Sequence, residues 1–233
     1  MIQEYAFPVE IVRTNRTKSA SIQLSGDVVK VTVPSTLSDK RIQDLISKKS
    51  VWIKQKIKLQ NETAPIKPKE YVTGEVFQYL GRNYRLKRTS GLSGAVKMKS
   101  GYLEVAIPEG LSSDAAEALI KTSLEVWYTS HAHSKLTEKT QRYAEIIGVD
   151  VGCIGVKDFK ARWGSCYASG DIVYNWRIIM APHRIIDYVV IHELCHLLEH
   201  NHSSKYWKHV ETVLGDYKDC REWLKFNGAT LFI

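Results

Sequence analysis

No stretch of the 233 residues stays apolar for the roughly 18 positions that a membrane helix needs. The first ten residues, MIQEYAFPVE, lack the basic start and apolar run of a secretory signal. A cytoplasmic protein with no membrane partner is therefore the expectation. Cysteine is scarce: Cys153, Cys166, Cys195 and Cys220 form no C-x-x-C pair. They are too few for a disulfide framework at this length, and their spacing excludes a cysteine zinc ribbon. Reduced, mostly buried thiols are expected. Internal repeats and low-complexity segments are also lacking.

What is present is an ordinary globular composition, 44% hydrophobic and 25% charged, which excludes disorder. The length suits one large domain or two small ones. The net charge of +8 is unevenly spread. Residues 1–100 hold 19 Lys and Arg against 8 Asp and Glu, a net of +11, whereas residues 101–233 hold 14 against 17, a net of −3. A basic field of this kind attracts acidic substrates, nucleotides or nucleic acid, and it also serves as a solvated face.

Patterning divides the chain. Alternation in Ser21–Leu24 and Val29–Val33 around Ser25-Gly26-Asp27 predicts a hairpin. Ser38 resembles an N-cap for a helix with Ile42, Leu45, Ile46, Trp52, Ile53 and Ile57 at helical spacing. NETAPIKPKE reads as a connector, and strand patterning returns over residues 71–108 with turns at Gly81 and Gly91–Gly94. A long helix from Ser112 or Ser113 to Gly148 follows, then strands in CIGVKDFKARWGSC and DIVYNWRIIM. A helix over DYVVIHELCHLLEH and a final helical stretch from Ser203 complete the chain. The expected organisation is a strand-rich basic region with one helix over 1–108, then an α+β domain over 109–233.

The chemistry concentrates in His192-Glu193-Leu194-Cys195-His196, an H-E-x-x-H. Residues four apart on a helix differ by about 40° around its axis, so both imidazoles can reach one ion. Zinc suits imidazole ligands and lowers the pKa of bound water to about 7. Glu193, next to the first ligand, stands where it can take that proton as general base. Val189, Val190, Ile191, Leu194, Leu197 and Leu198 supply the buried helix that such a motif requires. An open catalytic site needs a third protein ligand. His202 is the choice, reached if the helix ends at Glu199-His200-Asn201 and the chain turns back, with Ser203 or Ser204 capping the next helix. His200, His209, Glu211 and Asp216 compete for that role.

The runs Arg162-Trp163-Gly164-Ser165-Cys166, Tyr174-Asn175-Trp176-Arg177, Ile186–His196, Asn201-His202-Ser203 and Tyr206-Trp207 closely resemble the YgjP-like predicted metallopeptidases. The resemblance extends into the N-terminal half, through Arg13–Lys18 and Phe77–Leu86. It implies a zincin-like catalytic domain with His192, His196 and His202 as zinc ligands and Glu193 as base. Zincins of the SprT and WLM types, more distantly similar, act on proteins crosslinked to DNA. Glu199 stands where metzincins carry glycine, so the chain departs from that group.

Around this centre, Arg162, Ser165 and Tyr206 are candidates for substrate binding or oxyanion stabilisation. Arg162 can bind a carboxylate or phosphate, its alternative role being a structural ion pair. Gly164 and Ser165 shape a turn or strand edge, since no serine-hydrolase motif surrounds Ser165. Zincins commonly bind peptides along an edge strand, and the Arg162–Cys166 run is the candidate for it. Trp163 and Trp176 read as core, and Tyr206 and Trp207 as packing beneath the site.

The leading expectation is a zinc metallopeptidase acting on peptides or unfolded protein. One alternative is a metal-dependent hydrolase of nucleotide phosphoanhydride bonds, motivated by the +11 half. Another is a nucleic-acid-binding module with a structural zinc site, although such a site is usually closed by four protein ligands and three can be named.

Overall fold

The computed structural model describes residues 6–16, 19–25, 28–62, 67–92 and 95–233, which form two compact units divided between Ile66 and Lys67. In the first unit, strands β1 (Val9–Thr14), β2 (Ser21–Ser25) and β3 (Val28–Pro34) form a sheet in the order β1-β3-β2. The hairpin expected over residues 21–33 is present, and β1 adds parallel to β3. Its turn residues Gly26 and Asp27 lie outside the described residues. Helix α1 (Asp39–Glu62) starts directly after Ser38, whose carbonyl accepts from the Ile42 N–H at 3.1 Å. Val29, Val31 and Val33 on one face of β3 pack with Ile42, Ile46 and Ile53 of α1, all essentially inaccessible.

The second unit holds two sheets. Strands β4 (Val76–Tyr79), β5 (Arg82–Ser90), β6 (Val96–Lys99) and β7 (Tyr102–Ile107) run in the order β4-β5-β7-β6. Helix α2 (Ser113–Ile147) follows, capped by the Ser112 side chain and ended by Gly148 in the left-handed conformation, as its sequence signals predict. Strands β8 (Ile154–Lys157), β9 (Gly164–Cys166) and β10 (Ile172–Asn175) make a second sheet in the order β8-β10-β9, leaving β9 at an edge. A 3-10 turn over Trp176–Met180 replaces the second half of the strand expected there. Helix α3 (His183–Cys195) carries the H-E-x-x-H, and the single helical stretch expected from Ser203 is two helices, α4 (Ser204–Val213) and α5 (Tyr217–Asn227).

The boundary expected at residue 108 is corrected. Phe77, Leu86, Leu103 and Val105 on the inner face of β4–β7 share one core with Ile120, Leu124 and Tyr128 of α2 and with the apolar face of α3. Charge changes near residue 100 but packing does not, so the basic strands belong to the unit that carries the metal motif. Residues 1–66 hold 11 Lys and Arg against 6 Asp and Glu, and residues 67–233 hold 22 against 19. The positive excess is thus divided, +5 and +3.

Two details fix α3. The β4–β5 turn seats against its start: the Gly81 N–H donates to the Met180 carbonyl at 3.1 Å. Gly81 has φ +77°, and a Cβ there would meet Pro182 Cα at 2.7 Å, so both conformation and space require glycine. From the other side, adjacent residues of α2 bind two different elements. Lys139 Nζ reaches Asp187 of α3 at 2.5 Å, and Thr140 Oγ1 lies 2.9 Å from the hydroxyl of Tyr174 on β10. Tyr143 adds a hydrogen bond to Asp187. The long helix therefore sets where α3 stands relative to β10, and through it β9.

The Lys139–Asp187 pair is mostly shielded from water, with side-chain exposures of 10% and 18%. Lys139→Ala should lower stability in urea unfolding by about 3–5 kcal/mol, because it strands a buried carboxylate. Replacing both residues together, Lys139→Met with Asp187→Leu, should recover most of that loss.

Candidate active site

His192 and Glu193 occupy the last turn of α3, and His196 is its C-cap. The regular helix ends four residues before the Glu199 end expected from sequence. The i, i+4 relation survives because His196 keeps right-handed helical angles, φ −68° and ψ −18°. The chain then tightens, with Leu197 N–H bonding to Leu194 and Leu198 N–H to Cys195 at 3.0 and 3.1 Å. Ser203 caps α4, its Oγ accepting from the Tyr206 N–H at 3.2 Å. The short loop between these ends brings His202 back: its Nε2 lies 3.2 Å from Nε2 of His192.

One nitrogen from each of His192, His196 and His202 falls within 4.8 Å of the others, and no other group of this kind occurs among the described residues. Two imidazole nitrogens bound tetrahedrally at about 2.0–2.1 Å to one ion would be about 3.3 Å apart. The His192–His202 spacing matches that edge. His196 Nδ1 lies 3.2 Å from the Glu199 carbonyl, which can only accept, so Nδ1 carries the proton and Nε2 presents its lone pair. Burial, followed by the neighbouring histidines, lowers the His192 pKa to about 3, and burial also lowers that of His196. Neutral rings are the form that ligates a metal. His192 Nδ1 is buried without a hydrogen-bond partner.

Glu193 is 6% exposed and lies against β9. Trp163 accepts from Asn175 N–H and Tyr167 donates to Asp171, at 2.8 and 2.9 Å, so these residues pair towards β10. The peptide groups of Gly164 and Cys166 face the other way. The Cys166 N–H donates to the Glu193 carboxylate. A Cβ on Gly164 would lie 2.5 Å from Glu193 Oε1 and 2.6 Å from its Cγ, so the carboxylate arm rests directly on the glycine backbone. Burial pushes the Glu193 pKa up to about 7, against the lowering influence of the Cys166 N–H and Arg162. A carboxylate poised near neutrality is suited to taking and returning a proton.

Arg162 is exposed and forms no ion pair among the described residues; its Nη1 lies 3.5 Å from Ser165 Oγ. Asn175, 3% exposed, donates to the Phe159 and Arg162 carbonyls at 2.8 and 3.2 Å and so holds the loop entering β9. Tyr206 is corrected as an oxyanion group. It is wholly buried, its hydroxyl donates to the His192 carbonyl at 2.8 Å, and its ring stacks on His196 at 4.6 Å. It supports the ligands from beneath, as does Trp207, whose ring stacks on His202. Trp176 is core, whereas Trp163 is half-buried and faces the cleft. Of the competing ligands, Asp216 pairs with Arg184 and Glu211 with Lys218, away from the cluster. His200 lines the cleft without joining the triad.

The three histidines, Glu193 and β9 line one cleft of about 700 Å³, together with Arg221 and Lys225 of α5. Sequence reasoning assigned no role to these two cations, nor to Gly164 as the seat of Glu193. The signal for Gly164 is its place in the RWGSC run, but its reason is visible only when Glu193 lies on it. Gly164→Ala should therefore displace the Glu193 side chain while leaving the histidines intact. The expected result is unchanged metal stoichiometry by elemental analysis, with hydrolytic activity down by about 100-fold or more.

Among curated proteins, no sequence matches this chain. Among solved structures, the crystal structure of the metallopeptidase zymogen of Pyrococcus abyssi abylysin is similar, with 22% identity, a TM-score of 0.36, and coverage of 39% of this chain and 93% of that one. The family described as YgjP-like, metallopeptidase domain, matches residues 18–227, a span that includes the histidine triad, Glu193 and β9. The chain belongs to the YgjP-like metallopeptidase family.

Proposed function

We propose that this chain is a zinc-dependent peptidase of zincin type, in which His192, His196 and His202 hold the ion and Glu193 is the general base. The observation that carries the reading is the convergence of three imidazole nitrogens within 4.8 Å beside a buried carboxylate seated on an edge strand. Zinc held there would supply Lewis acidity, lowering the pKa of water towards 7 and polarising a carbonyl oxygen. Three protein ligands leave room for that chemistry, whereas a structural site would be closed by a fourth.

The remaining work falls to the chain's own groups. Glu193 accepts the proton of the attacking water at a carboxylate oxygen and delivers it to the departing amide nitrogen. Its hydrogen bond from the Cys166 N–H aims the carboxylate, and Gly164 gives it space. The N–H and carbonyl of Gly164 and the carbonyl of Cys166, which point away from β10, offer an edge where an extended substrate adds as a further strand. Such recognition reads the substrate backbone, which fits a peptide or unfolded segment better than a nucleotide. The four thiols are all free, in keeping with a reducing compartment such as the cytoplasm.

Glu193→Gln should reduce kcat on an unfolded polypeptide by about 10²–10⁴-fold while zinc remains bound. Substantial residual turnover in that variant would sink the assignment of the base. His202→Ala should weaken zinc binding, measured by chelator competition, by more than the about 10–100-fold that loss of an outer hydrogen-bond partner costs. Affinity unchanged in that variant would remove His202 from the ligand set.

A further inference from the structure

Of the charged side chains lining the cleft, three are cations, Arg162, Arg221 and Lys225, and one is acidic, Glu193. Lys225 is engaged by Glu222 one turn away at 2.9 Å. The two arginines are different. Neither forms a salt bridge among the described residues, and each is steadied by an aromatic ring. Arg162 lies 5.5 Å from the Phe159 ring centroid, and Arg221 lies 5.2 Å from that of Trp207. Cation–π attraction holds a guanidinium near a ring without consuming its N–H donors. Those donors match a carboxylate with two parallel hydrogen bonds.

Both line the cleft that holds the candidate reacting centre. Arg162 enters from the loop before β9, on the side of Glu193, and favours the charged form of that carboxylate. Arg221 comes from α5 and lies over Trp207, whose ring also stacks with those of His202 and Tyr217. Its charge reaches His192, where it disfavours the protonated ring. Two cations left without carboxylate partners beside a candidate hydrolytic centre form a field for anionic ligands.

We infer that the cleft selects peptides with acidic side chains close to the scissile bond, with Arg162 and Arg221 binding the Asp or Glu carboxylates. This inference rests on the peptidase reading. A polyphosphate or the phosphate backbone of a nucleic acid would satisfy the guanidinium groups but brings no N–H donor for the outward carbonyls of Gly164 and Cys166. An acidic peptide satisfies both.

The test uses zinc-loaded full-length protein and a matched pair of peptides that differ only in Glu or Gln beside the cleavage site. The wild type should cleave the Glu peptide with about tenfold or greater advantage in kcat/KM, arising mainly in KM, as expected for one charge-assisted contact. Arg221→Gln and Arg162→Gln should each erode that ratio, Arg221→Lys should keep part of it, and Arg221→Glu should favour a Lys peptide. Unchanged zinc content and unfolding midpoint would show that the variants are folded. Equal kcat/KM for the Glu and Gln peptides in wild type, or a ratio indifferent to Arg221→Gln, would overturn the specificity while leaving the peptidase reading intact. Inhibition by an oligonucleotide that is relieved by Arg221→Glu, with no acidic preference among peptides, would assign the arginines to nucleic acid instead. Failure to cleave any polypeptide would bring down both readings.

Discussion

The contact on which the site depends is the one between Glu193 and the backbone of β9. A helix side chain and an edge strand meet so closely that no Cβ fits between them. That contact holds the carboxylate by the Cys166 N–H and keeps it out of water, which raises its pKa. It also places the outward peptide groups of β9 beside the candidate base. The rest of the second unit maintains this approach. Lys139 and Thr140 on α2 bind α3 and β10 respectively, and the Gly81 turn abuts the start of α3. Tyr206 ties α4 back to the His192 carbonyl.

This arrangement accounts for the polar groups found in the core. Lys139, Thr140, Asn175 and Glu193 are buried, and each has a partner: Asp187, Tyr174, the Phe159 and Arg162 carbonyls, and the Cys166 N–H. Buried polar groups cost stability unless paired, and a pair fixes one geometry where apolar packing tolerates several. All four bear on the relation between α3 and the β8–β10 sheet or on the loop entering β9. The core is therefore polar where the site demands a defined geometry and apolar elsewhere.

The site was legible in sequence where the signal is local. The H-E-x-x-H spacing encodes one helix face, Ser112 and Gly148 bracket α2 by capping chemistry, and Ser203 announces α4. The return of His202 followed from the polar turn after Glu199. What local pattern misjudged was set by tertiary partners. Leu197 and Leu198 prolong the apolar pattern past the true end of α3, where the tightening depends on hydrogen bonds back to Leu194 and Cys195. The boundary expected at residue 108 followed charge, whereas Phe77, Leu86 and Leu103 find their partners on α2. Tyr206 has the chemistry of an oxyanion donor, yet its hydroxyl is committed to a backbone carbonyl. Arg221 looks in sequence like any other surface cation, and only the fold sets it on Trp207 within the cleft.

The proposed chemistry requires the site at His192, His196 and His202 to act on peptide bonds. It is tested most directly by incubating zinc-loaded protein with an unfolded polypeptide and, in parallel, with a mixture of nucleoside triphosphates. New peptide termini are expected in the first and neither phosphate nor pyrophosphate in the second. Release of phosphate or pyrophosphate with the polypeptide left intact would contradict that chemistry.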